Sequence, residues 1–316
     1  MKVLSLVHML WVATLLRRAA IVPNHPGPPM PRRKAHAKIR AMQALDHWPL
    51  EAIRRVTGVF TDIDDTLTTA GAITADAHQA LAELKAAGLP VVAITGRSAG
   101  WSAPFAARWP LDAIVAENGA VALIPSHQIG LQPLPDGHRQ LSKRYQQDAP
   151  TRAAHHTRMQ AVLERIEREI PGAQRATDSL GRETDIAIDH SEFVRLDAGQ
   201  IGRVVALMRG EGMQASVSSI HINGWYGETS KLAGARWIVR QLWGRDLATE
   251  MDRWVYVGDS TNDQLMFKSF ANSIGVANVA RFAPQLAHLP HYVTPGERGA
   301  GFAEVAAAVL AAHAGR

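Results

Sequence analysis

From residue 56 onward the chain repeats one unit: a short uninterrupted apolar run, a turn rich in carboxylates or glycine, then a helical stretch. The runs cover residues 56–61, 90–94, 113–116, 254–257, 273–276 and 291–293. A strand with one face in water alternates apolar and polar side chains, and these runs do not, so both of their faces have to be covered. Strands spaced by helices achieve this as a parallel sheet with helices on either side. The fold class expected is α/β, a doubly wound, Rossmann-like parallel sheet. Ligands then sit beyond the carboxyl ends of the strands, and the residues just after each run are the ones to inspect.

The helical stretches agree with this. Thr74 is placed to cap a helix in which Ala77, Leu81 and Leu84 recur at i, i+4 and i+7, and Gly88 stands where a left-handed C-cap is wanted. A second stripe, Leu232, Ala235, Ile238, Val239 and Leu242, follows Ser230. Between residues 125 and 224 the texture changes. A segment rich in Pro, Gly, Gln and His (124–150) leads into a charged helix (155–170), a strand-like run (184–188), a helix (199–210) and two more strand-like runs (214–217 and 220–223). The expected organisation is a core of residues 56–124 and 225–316 with an α+β domain, 125–224, inserted into it.

A formal charge of +5 raises the question of a nucleic-acid partner, and its distribution answers it. Residues 1–41 hold eight Lys and Arg and no acid, which leaves the other 275 residues at −3. The basic character belongs to a leader, set at residues 1–45, and the body gives no electrostatic reason to bind DNA or RNA. The apolar run at residues 3–16 is shorter than the roughly 20 residues that span a bilayer, and it ends in Arg17-Arg18 without a small-residue cleavage site. The leader is therefore read as a disordered extension or an early start codon, with no membrane association expected and a cytoplasmic location. Cysteine is absent, so disulfides and thiolate metal sites are excluded.

The chemistry concentrates at strand ends. Thr61-Asp62-Ile63-Asp64-Asp65-Thr66-Leu67 follows the first run, and side chains two apart on an extended segment address one side. Three carboxylates in four positions repel one another unless a cation or hydrogen bonds offset the charge. Thr95-Gly96-Arg97 follows the second run, offering a hydroxyl and a flexible backbone amide to an oxyanion. Lys231 opens a helix, and Gly258-Asp259-Ser260-Thr261-Asn262-Asp263 follows another buried run. Each of the last three motifs is weak alone; their order and repeated position at strand ends give them weight.

Together, Asp62-x-Asp64-x-Thr66, Thr95-Gly96-Arg97, Lys231 and Gly258-Asp259-Ser260-x-Asn262-Asp263 resemble the four signature motifs of the haloacid dehalogenase superfamily of phosphatases. The long insert, Asn118-Gly119-Ala120 and the run from Asp259 to Met266 are similar to the subfamily with a type IIB (C2B) cap. Its members include Cof-like, sucrose-phosphate, trehalose-phosphate and mannosylphosphoglycerate phosphatases. The resemblance covers the chain from about residue 56 onward and not the leader. It departs at Asp65, where most relatives have Gly.

The resemblance implies a phosphatase acting on a small phosphorylated metabolite, a sugar phosphate by preference, with Mg²⁺ as cofactor. It gives Asp62 the part of nucleophile and Asp64 that of general acid and base, with Thr95 and Gly96 holding the transferring oxygens. Lys231 and Mg²⁺ supply positive charge. The metal's ligands would be Asp62, Asp64 through its backbone carbonyl, and Asp259, with Asp263 direct or one step removed; oxygen-rich, His-poor motifs suit magnesium better than zinc. Asn262 is a supporting residue that orients Lys231 or an acidic ligand. Arg97, Asn118, Arg182, Glu183, Asp185, Ser219, His221 and Asn223 are the candidates for substrate binding. Two alternatives remain at this point: a phosphotransferase of the phosphomannomutase type, and a non-catalytic phosphate-binding module.

Overall fold

A computed structural model describes residues 42–125, 128 and 140–315. Residues 1–41 of the expected leader, with the apolar run at 3–16, lie outside the described residues, as does most of the Pro- and Gly-rich stretch after residue 125.

The centre is a nine-stranded sheet. In chain order its strands are β1 (Gln43–Ala44), β2 (Gly58–Thr61), β5 (Val91–Ile94), β6 (Ala113–Ala116), β7 (Val121–Pro125), β8 (Leu141–Tyr145), β13 (Trp254–Gly258), β14 (Asn272–Gly275) and β15 (Tyr292–Val293). Across the sheet the order is β1-β15-β14-β13-β2-β5-β6-β7-β8, parallel except for the antiparallel pairs β6–β7 and β7–β8. The fold class is the α/β one expected, and each predicted apolar run lies within a residue or two of an observed strand.

Burial on both faces is visible strand by strand. Val59 joins a core that takes in Leu81 and Leu84 of α2 (Ala75–Ala86) and Phe302 and Val305 of α8 (Arg298–Ala314). Its neighbour Phe60 joins the opposite core, with Ile238 and Val239 of α6 (Lys231–Trp243) and Phe267 of α7 (Gln264–Ser269). Each such fully buried side chain contributes about 1.5–3 kcal/mol, which is why the runs carry no polar break. Gly88 has the expected left-handed backbone, φ 76°. Thr74 precedes α2 in extended geometry, but its side chain does not cap; the first turn is held instead by the Asp76 carboxylate, which accepts from Ala77 N.

A second sheet, fully antiparallel, has the order β11-β12-β10-β9. Its strands are β9 (Gln174–Arg175), β10 (Ile186–Asp189), β11 (Gln214–Val217) and β12 (His221–Trp225), packed by α4 (Ala149–Glu169) and α5 (Ala198–Gly210). Ile186, Ile188 and Ile222 face these helices and contact Met159, Ile166, Val204 and Met208. By the two-residue period, Ala187, Asp189, His221 and Asn223 face the other way.

Two segments sit apart from the expected boundaries. Gln43–Ala44, counted in the leader, pairs with Tyr292–Val293 at one edge of the large sheet. Leu141–Tyr145, counted in the insert, forms the opposite edge. The hairpin β6–β7 was missed because a buried continuous run gives no alternation; the Asn118-Gly119 pair at its turn, with φ 54° and 106°, was the available signal.

Candidate active site

The order of the large sheet reverses between β2 and β13: β2, β5 and β6 step one way, and β13, β14 and β15 the other. Side chains that follow β2 and β13 therefore meet in the crevice at the switch point. Asp62 follows β2, its N–H donating to Val257 O at 2.9 Å, and Asp259 follows β13. Ser230 caps α6, its hydroxyl accepting from Ala233 N, so that Lys231 begins the helix and reaches the same crevice.

There the Lys231 ammonium, buried on all sides, lies 2.9 Å from Asp62 Oδ1 and 2.7 Å from Asp263 Oδ1. Burial opposes its charge, but the Asp263 and Asp62 carboxylates outweigh that and raise its pKa. Asp263 is saturated: Oδ1 accepts from Lys231 and from the buried Tyr256 hydroxyl, and Oδ2 accepts from Asp259 N and Ser260 N. Gly258 makes room for it, since a Cβ there would stand 2.6 Å from Asp263 Oδ2. Asn262 is not in this cluster; its Oδ1 accepts from Ser260 Oγ at 2.8 Å. Asp263, not Asn262, holds Lys231.

Asp62, Asp259 and Asp263 offer oxygens within 4.8 Å of one another, all buried. Three carboxylates face one ammonium, and burial accordingly pushes Asp62 up to about 7 despite Lys231, and Asp259 well above the ordinary range. Asp259 Oδ2 accepts from Asn278 Nδ2 at 3.2 Å, whereas Oδ1 is buried and has no partner among the described residues. An orphaned carboxylate oxygen beside excess negative charge, with no imidazole or thiolate in the set, fits a hard divalent cation held by Asp62 and Asp259. With all four of its acceptor interactions in use, Asp263 serves as the support behind them.

Asp64 lies to one side, its carboxylate gripped by Arg97 through Nε at 3.0 Å and Nη2 at 2.9 Å. The same guanidinium pairs with Glu192 at 3.0 and 2.8 Å and lies over the Trp101 ring, 4.6 Å from its centroid. His221 Nε2 is 3.0 Å from Glu192 Oε2. Burial would raise the Glu192 pKa, but the His221 hydrogen bond and Arg97 outweigh it and hold the carboxyl at about 2. Glu192 was missed in the sequence. It is presented by a loop whose N–H groups at Ser191, Glu192, Phe193 and Val194 all donate to Asp189, an arrangement that a lone acid in a polar segment does not announce.

The Thr95–Gly96–Arg97 turn is fixed on most sides. Thr95 N and O pair with Val115 O and Asn118 N, Arg97 O accepts from Glu117 N, and Arg97 N donates to Thr95 Oγ1 at 3.0 Å. Gly96 O accepts from Arg182 Nη1 and Asn223 Nδ2, each at 3.0 Å, while the Gly96 N–H has no partner among the described residues. Arg182 also pairs with Asp178 and Asp185, and Asp185 Oδ2 accepts from Asn223 and Asn118. Burial would raise the Asp178 pKa, yet Arg182 and His221 bring it down to about 2.

The remaining candidates are elsewhere. Glu183 pairs with Lys143 and Tyr145 at the edge strand β8. Ser219 takes part through its backbone oxygen, which accepts from Ser191 Oγ. Besides Glu192, sequence reading missed the buried Glu117, whose carboxylate accepts from Ala99 N, Glu183 N, Thr184 N and Thr184 Oγ1. It also missed Asn278, which donates to Asp259 and to the carbonyl of Asp65. Asp65 itself has φ 55°, a conformation glycine adopts without cost, and its carboxylate is 2.8 Å from Arg298.

The family model for haloacid dehalogenase-like hydrolases matches residues 59–136, the stretch holding Asp62, Asp64, Thr95, Gly96, Arg97 and Asn118. Among curated proteins no relative matches the sequence. Solved structures of the same fold include a Thermoplasma acidophilum protein, 15% identical with a TM-score of 0.61, the match covering 80% of this chain and 98% of that one. The sucrose-phosphatase of Synechocystis sp., in complex with sucrose and phosphate, is 16% identical with a TM-score of 0.55, over 80% and 98% of the two chains. The C-terminal domain of trehalose-6-phosphate phosphatase from C. albicans is 12% identical with a TM-score of 0.57, over 92% and 99%. The chain thus has the fold of the haloacid dehalogenase-like hydrolases, and residues 59–136 carry that family's sequence pattern.

Proposed function

We propose that this chain is a magnesium-dependent phosphatase that hydrolyses a small phosphate monoester, a sugar phosphate by preference, through a phosphorylated Asp62. The observation that carries the reading is the Lys231 ammonium bridging Asp62 and Asp263 beside Asp259 Oδ1, which has no partner among the described residues. A carboxylate nucleophile and a phosphate dianion repel by about 4 kcal/mol per unit pair at 4 Å and an effective dielectric near 20, so positive charge must stand between them. Lys231 is the chain's own contribution. A Mg²⁺ ion held by Asp62 and Asp259 would supply the rest, as a charge screen on the phosphoryl oxygens.

In this reading an Asp62 carboxylate oxygen forms a bond to phosphorus as the bond from phosphorus to the ester oxygen breaks. Asp64, when protonated, gives its proton to the departing alkoxide. It then takes a proton from the water that attacks phosphorus, which releases inorganic phosphate and restores Asp62. Thr95 Oγ1 and Gly96 N–H receive the non-bridging oxygens, the latter having no partner among the described residues. The antiparallel sheet with α4 and α5 acts as the cap. It brings Glu192 and His221 to the side of Arg97 away from Asp64, where an ionised acceptor and an imidazole suit the hydroxyls of a sugar better than a second acid group.

The test is release of inorganic phosphate from a panel of sugar phosphates, nucleotides and phosphoacids with Mg²⁺, with Asp62→Asn run beside the wild type. Release from sugar phosphates that disappears in Asp62→Asn supports the reading. Absence of release from every compound, or a requirement for glucose or mannose bisphosphate, moves the binding or phosphotransfer alternatives ahead.

A further inference from the structure

We infer that Arg182 and Asn223, two side chains of the cap, do not read the leaving group but position the Thr95 hydroxyl for the phosphoryl group, acting through the peptide that joins Gly96 to Arg97. This rests on the phosphatase reading of the site.

The peptide unit is planar, so the direction of its carbonyl fixes the direction of its N–H. Here the Gly96 carbonyl is held by two cap donors, Arg182 Nη1 and Asn223 Nδ2, both at 3.0 Å. On its other side the same peptide gives the Arg97 N–H to Thr95 Oγ1 at 3.0 Å. A threonine hydroxyl has one hydrogen and two lone pairs. When the Arg97 N–H occupies a lone pair, the hydroxyl cannot turn its hydrogen in that direction and is left to donate elsewhere. Two donors on the carbonyl, one of them charged, also polarise the amide and strengthen its N–H as a donor.

The cap donors are themselves held in place. Asp185 accepts from Arg182 Nη1 at 2.7 Å and from Asn223 Nδ2 at 2.9 Å, and Asp178 accepts from the other side of the guanidinium while taking the Ser98 N–H. Arg182, Asp185 and Asn223 are all buried. Neither Arg182 nor Asn223 is free to contact a leaving group without abandoning Gly96 O, and Asp185 is occupied in holding both. In this arrangement the seating of the cap completes the phosphate cradle, so a substrate that does not permit full closure meets a Thr95 hydroxyl that is not aimed.

A double-mutant cycle tests this. Steady-state kinetics are measured for wild type, Asn223→Ala, Thr95→Ala, Thr95→Ser and the two combinations, on the best substrate of the phosphate-release panel. The expected result is a fall in kcat of about tenfold for Asn223→Ala, equivalent to about 1.4 kcal/mol, with KM changed less than kcat. That penalty persists in the Thr95→Ser background, which keeps the hydroxyl, and disappears in Thr95→Ala. An equal penalty in all three backgrounds, or an effect confined to KM, overturns the inference. Should Asn223→Ala fail to fold, Asn223→Ser, whose hydroxyl is too short to reach Gly96 O, goes through the same cycle. Failure of the phosphatase reading is distinct: the wild type then shows no turnover at all.

Discussion

Replacing Lys231 by Met tests the charge balance of the crevice without opening a cavity, since the two side chains are similar in length and both pack well. Lys231 is the only cation paired with Asp62 and Asp263 among the described residues, and its side chain is 3% exposed. Two attractions of about 4 kcal/mol each at an effective dielectric near 20 are lost, partly offset because a buried ammonium no longer has to be desolvated. Breaking one side of a buried ion pair costs about 3–5 kcal/mol net. With divalent cations removed by chelation, and a urea m-value near 3 kcal/mol/M, the unfolding midpoint should fall by about 1–1.7 M. On the proposed reading, magnesium at about 100 times its dissociation constant should then return about 2.7 kcal/mol to the variant, because Asp62 and Asp259 would hold it in the folded state alone. A variant within about 0.5 kcal/mol of wild type in chelator, the ordinary range for an inconsequential surface change, would refute the idea that Lys231 neutralises this cluster.

Two further expectations concern the supports of the site. Gly258→Ala places a Cβ 2.6 Å from Asp263 Oδ2, a group held by four donors and unable to retreat, so stability should fall by about 1–3 kcal/mol in a thermal melt and phosphate release should fall with it. Glu192 is held down to about 2 from an ordinary 4.5; a depressed carboxyl stabilises above its unfolded pKa and loses that contribution as pH falls toward the folded value. The stability gap between wild type and Glu192→Gln should therefore be full at pH 7 and close between about pH 4.5 and 2; a gap independent of pH would show that the Arg97–Glu192 pair does not hold the cap.

What the sequence revealed followed from local rules. A run such as residues 56–61 has no polar face, which dictates a doubly covered strand, and the acids after it inherit their position from that strand. Lys231 stood out because it opens a helix at the place the resemblance gives its third motif, Asp259 because it follows an apolar run. What stayed hidden depended on contacts across the chain. The polar turn does not show which of Asp263 and Asn262 orients Lys231; that is visible only where Tyr256 and Lys231 arrive from other elements to saturate Asp263. Arg182, Asp185 and Asn223 were recognisable as polar residues of the insert, yet their shared target is a backbone carbonyl, Gly96 O, which no side-chain pattern marks. Glu192 was invisible because its loop is organised by Asp189 and its partner Arg97 lies 95 residues away.

The most direct measurement is capture of the covalent intermediate: turnover of a ³²P-labelled sugar phosphate with Mg²⁺, stopped by acid on the millisecond scale, followed by proteolysis and location of the label. The account predicts acid-stable, hydroxylamine-labile label on the peptide that contains Asp62, and none in Asp62→Asn. Turnover that leaves no label on the protein, or label that survives Asp62→Asn, would contradict it.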